Sequence, residues 1–391
     1  MTMPAAGTEL RPFKVDIPQS DLDDLADRLG RVRWPDELPG VDWSYGVPRE
    51  YVRELVDHWR TAYDWRAQEA RINAHPQFVT SIDGQQVHFL HVESPEPDAL
   101  PLIATHGWPM SVVEYLDMIG PLTDPRAHGA DPADAFHLVI PSIPGVGFSG
   151  PTREPGWGTK RIAHAWAELM RRLGYERYGA HGNDAGSMIS PEVGRCDSGR
   201  VVGVHVTQLF SFPSGDPSEF EGMSEEDMAA MAFLQDFISR GGLAYNAYQS
   251  AQPQTLAYAL QDSPAGWLAW VTQLFQRWAD RDYLITNAAI YWLTNTVGSS
   301  IRRYYEEARA EAPDEPTTAP TGVAIFAEDF SRSGGSRTAT TRTSCAGRDT
   351  TAAATSRRTT PRICSPLTSA SSSARCAELR DHAVAPRGSW H

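Results

Sequence analysis

The chain has 391 residues, 41% hydrophobic and 21% charged, with a formal net charge of −14. Such a composition builds an ordinary globular protein with room for one large domain and an insertion. Its acidity excludes nucleic acid and anionic membrane as expected partners. No run of about 18 apolar residues is present to cross a membrane, and no basic stretch followed by an apolar core opens the chain as a secretory signal would. Four cysteines without metal-ligand spacing point to a reducing compartment, the cytoplasm, with neither disulfides nor a metal site.

Residues 10–75 read as a helical arm. Ser20, with Asp23 three residues on, has the pattern of a capping box, and Leu22, Leu25 and Leu29 then keep helical spacing. A second helix is predicted from Pro48, which suits a first turn, with Val52, Leu55, Val56 and Trp59 on one face. The segment is too poor in core residues to fold alone and is expected to pack on the remainder of the chain.

From about residue 76 the apolar period becomes that of strands. Phe78–Ile82 and Val87–Val92 flank Asp83-Gly84, a hairpin signal. Pro101–Thr105, His137–Pro141, Tyr178–His181 and Val201–Val206 come next, separated by helical stretches such as the one with Ile162, Trp166, Leu169 and Leu173 on one face. Short apolar strands alternating with helices predict an α/β fold, a mostly parallel sheet with helices on both faces. Residues 210–315 instead carry aromatic-rich helical runs at Met228–Phe237, Leu268–Trp278 and Ala288–Tyr305, which read as an inserted cap. A last strand is predicted at Gly322–Phe326, with Glu328 and Asp329 directly after it.

Gly182-Asn183-Asp184-Ala185-Gly186 lies between a predicted strand and a predicted helix. Its Gly-x-Asp-x-Gly frame is that of a nucleophile elbow with Asp in place of Ser. The turn is so sharp that a Cβ two residues before or after its centre would clash, hence Gly182 and Gly186. The central side chain is pushed out above the sheet at a helix N-terminus, where a carboxylate can stay ionised as a nucleophile. The same residues also fit a plain strand–turn–helix connection in which Asp184 only caps the helix.

His106-Gly107-Trp108-Pro109 comes after one predicted strand, Pro141-Ser142-Ile143-Pro144-Gly145-Val146-Gly147-Phe148-Ser149 after the next, and the Asp elbow after the third. In that order they make residues 10–330 resemble the epoxide hydrolases of the microsomal and juvenile-hormone type. The resemblance implies the α/β-hydrolase fold, with an N-terminal arm and hairpin (1–95), a core in two parts (96–209 and 316–330) and a helical cap (210–315). It implies that Asp184 attacks an epoxide carbon to form an alkyl ester, and that the backbone N–H groups of Trp108 and Ala185 hold the oxyanion as that ester is hydrolysed. Two cap tyrosines would protonate the opening ring oxygen. Tyr245, after Gly241-Gly242 and ahead of Pro253-Gln254-Thr255, and Tyr304, after Ser299-Ser300, match the family's positions, with Tyr248 and Tyr305 as nearby rivals. Asp329, or Glu328, would orient a catalytic histidine. The implied partner is a small-molecule epoxide, with a homodimer open, and no cofactor or metal is needed.

Two departures stand out. Many family members carry Trp where this chain has Ala185, which weighs against the dehalogenase alternative, since a Trp there commonly helps hold a halide. The larger departure is the tail. The family's histidine sits in a Gly-Gly-His-Phe setting after the final strand, and none is found here. Of residues 331–380, 37 of 50 are Ser, Thr, Arg or Ala, and residues 331–391 hold ten Arg against three acids. His382 and His391 are the tail's only histidines. A disordered basic tail is one reading. A reading-frame shift close to Ser331 is the preferred one. Joining the third base of each codon to the first two of the next permits Asp-Arg-Gly-Gly-His-Phe-Ala-Ala across Thr350 to Arg357. The sequence thus points to epoxide hydrolysis, impaired in the printed chain, with a catalytically inactive binding protein of the same fold as the rival.

Overall fold

The computed structural model describes residues 9–208, 225–275, 280–311, 317–326 and 349–350. Eight strands form one sheet: β1 (Arg11–Pro12), β2 (Gln77–Ile82), β3 (Gln85–Val92), β4 (Leu100–Thr105), β5 (Phe136–Pro141), β6 (Tyr178–Gly182), β7 (Val201–Val206) and β8 (Thr321–Val323). Their spatial order is β1–β2–β3–β5–β4–β6–β7–β8. β1, β2, β3 and β5 pair antiparallel, whereas β5, β4, β6, β7 and β8 run parallel. The predicted hairpin forms with a two-residue loop, Asp83 at φ 49° and Gly84 at φ 74°, the backbone that matches strand twist and that Asp-Gly supplies.

The strand order places a functional crevice. From β4 the chain crosses to β5 on one side, and from β5 it returns to β6 on the other. The loops leaving the carboxyl ends of neighbouring β4 and β6 therefore diverge, and an open crevice results. Thr105 pairs with Gly182 in register, so His106–Pro109 and the elbow emerge side by side.

Twelve helices are described. The arm supplies α1 (Gln19–Gly30), α2 (Arg49–Thr61) and α3 (Trp65–Asn73), and the core α4 (Leu116–Thr123), α5 (Thr159–Arg172) and α6 (Ala185–Cys196). Between β7 and β8 stand α7 (Glu225–Ser239), α8 (Ala244–Ala251), α9 (Pro253–Asp262), α10 (Pro264–Phe275), α11 (Arg281–Leu293) and α12 (Val297–Glu307). In α5 Ile162, Trp166 and Leu169 of the predicted stripe are buried, while Leu173 follows the helix end and is half-buried; Trp166 donates its indole N–H to Thr105 Oγ1 at 3.0 Å, pinning the helix to the end of β4. The arm packs on the inserted helices. Tyr63 Oη donates to Thr286 Oγ1 at 3.0 Å, His58 Nε2 lies 2.6 Å from Asp282 Oδ1, and Arg28 donates to Asp262.

Several boundaries differ from the sequence reading. Ser20 does not cap α1: the cap position is Pro18, and Ser20 Oγ turns to Asp21 instead. Pro48 is the cap of α2 rather than its first residue. The run expected over Ala288–Tyr305 is two helices, because Asn295 takes φ 56° and breaks the path. The expected last strand is interrupted at Ala324. Ile325–Phe326 (β9) pairs in parallel with Asp349–Thr350 (β10), so the printed tail contributes a strand residue pair that its composition gave no sign of. Among the described residues no helix is long and apolar enough to cross a membrane, and no group of three or more His, Cys, Asp or Glu could hold a metal ion.

Candidate active site

The elbow is built by close approach. A Cβ on Gly182 would stand 1.9 Å from Gly186 O, and one on Gly186 2.0 Å from Thr105 O. Gly107 is confined less severely, by side chains: its Cβ position lies 2.5 Å from Met110 Cε and 2.7 Å from Asp184 Cβ. Between the two elbow glycines Asp184 takes φ 48° and ψ −113°, a backbone that costs a non-glycine residue about 1–3 kcal/mol. Asp184 caps α6 and does more than cap it. Its Oδ1 accepts the Ala185 N–H at 2.6 Å and the Trp108 N–H at 3.0 Å, so the cap and the two-donor hole expected from the resemblance are the same oxygen.

The electrostatics differ from the sequence reading. The helix N-terminus does not by itself settle the charge of Asp184. Burial pushes this carboxyl above its ordinary range, opposed by the Trp108 N–H, the Arg303 charge and the Ala185 N–H. Arg303, on α12, is 7% exposed, and among the described residues its one ion pair is with Glu307 Oε2 at 3.9 Å. Nothing in the residue pattern had singled out this buried cation.

Trp108 organises the side that faces the helices inserted after β7. Tyr245 stacks on its indole at 5.9 Å between centroids, and Tyr304 meets it edge-on at 5.2 Å, with 6.0 Å between the two tyrosines. The Ser299-Ser300 pair explains why Tyr304 arrives there. Ser299 Oγ donates to Gly145 O at 2.6 Å, tying α12 to the loop after β5, and the Trp108 indole N–H donates to Ser300 Oγ at 3.1 Å. One turn later, on the same face, Tyr304 reaches the Trp108 ring. The rivals point away: Tyr248 is 45% and Tyr305 37% exposed. Burial pushes the Tyr245 hydroxyl up to about 12, with the Asp184 charge adding, so at neutral pH it holds its proton. Tyr304 shifts the same way for the same causes.

The described histidines near the elbow, His106, His181 and His205, are buried and held neutral. His106 places Nδ1 2.7 Å from Gly107 O and accepts the Ile143 N–H on Nε2 at 3.2 Å, and burial lowers it to about 4. His181 and His205 face each other Nδ1 to Nδ1 at 2.9 Å, buried and lowered to about 3 and about 4. Glu328, Asp329, His382 and His391 lie outside the described residues. Sequence reasoning also missed Glu114 and Asn183. The Gly107 N–H donates to Glu114 Oε2 at 3.2 Å, and Asn183 Nδ2 donates to Glu114 Oε1.

A parallel-centred sheet with an aspartate elbow after β6 and a helical insertion after β7 defines an α/β-hydrolase. The match with known proteins agrees. Residues 10–115 match the model of the epoxide hydrolase N terminus. A Stigmatella aurantiaca protein, provisionally named an epoxide hydrolase, is 42% identical over 333 residues, covering 83% of this chain and 75% of the relative. Juvenile hormone epoxide hydrolase 1 of Ctenocephalides felis is 33% identical over 326 residues, covering 76% and 70%. The solved Aspergillus niger epoxide hydrolase superposes with a TM-score of 0.76 at 29% identity, covering 88% of this chain and 90% of that one. The chain belongs to the epoxide hydrolase family, in its microsomal and juvenile-hormone branch.

Proposed function

We propose that the site opens an epoxide to a vicinal diol through an alkyl ester on Asp184, with the helices after β7 acting as a cap. The Asp184 oxygen outside the two-donor hole attacks a ring carbon. One carbon–oxygen bond forms, the ring bond breaks, and Tyr245 and Tyr304 give the leaving oxygen its proton. Water then adds to the ester carbonyl, the charge gathers on the oxygen held by Trp108 and Ala185, and the diol leaves. Asp329, or Glu328, is the acid for the histidine that would activate that water. The observation that carries this reading is Asp184 Oδ1 accepting both backbone N–H groups beneath a cluster of Trp108 and two protonated tyrosines.

The water step needs a base, and the printed tail has no histidine in the family setting. The base lies in the frame-shifted reading of Thr350 to Arg357. The printed polypeptide therefore makes the ester and releases it slowly. The test is to mix it with styrene oxide and follow intact mass. Wild type should gain one epoxide and hold it, and Asp184→Asn should gain none. Rapid multiple turnover would show that the histidine is dispensable. A folded chain that gains no mass would favour the inactive binding protein. Sequencing the coding DNA across codons 325–360 decides the frame: an inserted or missing base near codon 331 restores the histidine, and an uninterrupted frame removes it.

A further inference from the structure

We infer that Glu114 is a positioning residue that locks the nucleophile loop to the oxyanion loop. It stands in the 3-10 turn Val112–Tyr115, eight residues beyond His106. One of its oxygens accepts the N–H of Gly107, the residue before the Trp108 donor. The other accepts from the side chain of Asn183, the residue before Asp184. Asn183 is held in turn: Thr207 Oγ1 donates to its Oδ1 at 2.6 Å, and its backbone N–H reaches Thr105 O at 3.3 Å. A single carboxyl thus joins the ends of β4, β6 and β7 at the point where the distance between the Trp108 N–H and Asp184 is set. The inference rests on the epoxide-opening reading of Asp184.

A carboxylate is suited to this place because both neighbours are donors. Protonated, it would have to turn a hydroxyl toward one of them, and one of the two links would weaken. Burial pushes Glu114 up to about 7, with the Asn183 and Gly107 donors opposing and the Asp184 charge adding. The other titratable groups facing it are Tyr115 on the same turn and Tyr283 and Tyr291 on α11, all shifted upward and neutral. Ionisation near neutrality therefore tightens the two loops together, and ester formation should rise as pH passes through about 7.

Glu114→Gln and Glu114→Ala separate positioning from simple packing. Gln can keep both links if the Asn183 amide turns over, so that Gln donates to Asn183 and Asn183 donates to Thr207. It cannot titrate. The rate of styrene oxide ester formation, measured by intact mass from pH 5.5 to 8.5, should rise about tenfold in wild type around neutrality. It should be flat and near the wild-type maximum in Glu114→Gln, and at least tenfold below that maximum at every pH in Glu114→Ala. Identical profiles for all three would overturn the inference and leave the Asp184 reading standing. A folded wild type that forms no ester would overturn both. A fully active Glu114→Gln that keeps the neutral step would assign the titration elsewhere and also overturn the inference.

Discussion

Trp108 and Asp184 are 76 residues apart in sequence, yet the Trp108 backbone N–H donates to Asp184 Oδ1 at 3.0 Å. The donor sits after β4 and the acceptor after β6, and the paired register Thr105 to Gly182 is what makes them neighbours. In the proposed mechanism this is the oxygen that becomes the ester carbonyl, so both donors already face the place where charge would gather.

The buried charge of Asp184 has a cost in stability. Its pKa is raised in the folded state, so the folded chain holds this proton more tightly than the unfolded chain does. That contribution favours the fold most at acid pH and is lost as pH rises above the ordinary value of 3.8. At pH 7 Asp184→Asn should therefore be more stable than wild type. The difference should shrink toward pH 4. Chemical denaturation at both pH values checks this.

Closing the elbow glycines should be severe. Ala at Gly182 or Gly186 places a Cβ about 2 Å from a backbone oxygen, and backbone cannot give way as a flexible side chain can. Each substitution should cost about 3 kcal/mol or more. Soluble yield and denaturation midpoint are the readouts, with Gly84→Ala as a contrast. There the Cβ meets nothing within 4 Å, and only the φ strain applies.

The two cap tyrosines should share the proton donation. Tyr245→Phe and Tyr304→Phe each remove one hydroxyl while leaving the ring contacts to Trp108 in place. Each should slow ester formation at least tenfold, and together by a hundredfold or more, within the range for general acids. Tyr305→Phe should leave the rate unchanged. Single-turnover mass kinetics distinguishes these outcomes.

The His181–His205 pair should make the fold acid-labile. Both are depressed below 6.5 by burial, His181 to about 3 and His205 to about 4. As pH falls below 6.5 the unfolded chain takes protons that the folded chain refuses, so stability is full above that value and is lost toward the folded values. Each group contributes about 1.4 kcal/mol per pH unit in that window. His205→Gln should lose about 2 kcal/mol less than wild type between pH 7 and pH 5. Equal losses would show that the pair does not stay neutral in the fold.

The sequence by itself determined the local grammar. Gly182 and Gly186 announce a turn because a Cβ at either place meets backbone. Asp83-Gly84 announces a two-residue hairpin because both residues tolerate positive φ. The strand runs around 103, 139, 180 and 204 announce a parallel sheet because they are short, largely apolar and separated by helical stretches. Ser299-Ser300 located Tyr304, although the reason was hidden: those hydroxyls bind Gly145 O and the Trp108 indole, contacts between distant segments. The ends of helices were less legible. Ser20 has the right chemistry for a cap, but Pro18 holds that place.

Only the tertiary structure decided which charges meet. Glu114 and Arg303 carry no motif and Asn183 fills an unspecified place in the elbow frame, and each meets partners brought close by the strand order. Whether Asp184 stays ionised was likewise undecidable from its place at a helix start. Desolvation is set by everything packed around a group, and here it pushes Asp184 upward against two N–H donors and one buried guanidinium. Hydrogen-bond geometry and burial are properties of the assembled sheet and cap, while turn strain and apolar period are properties of the residues themselves. That division is why the turn that presents Asp184 could be read from five consecutive residues and the charges around it could not.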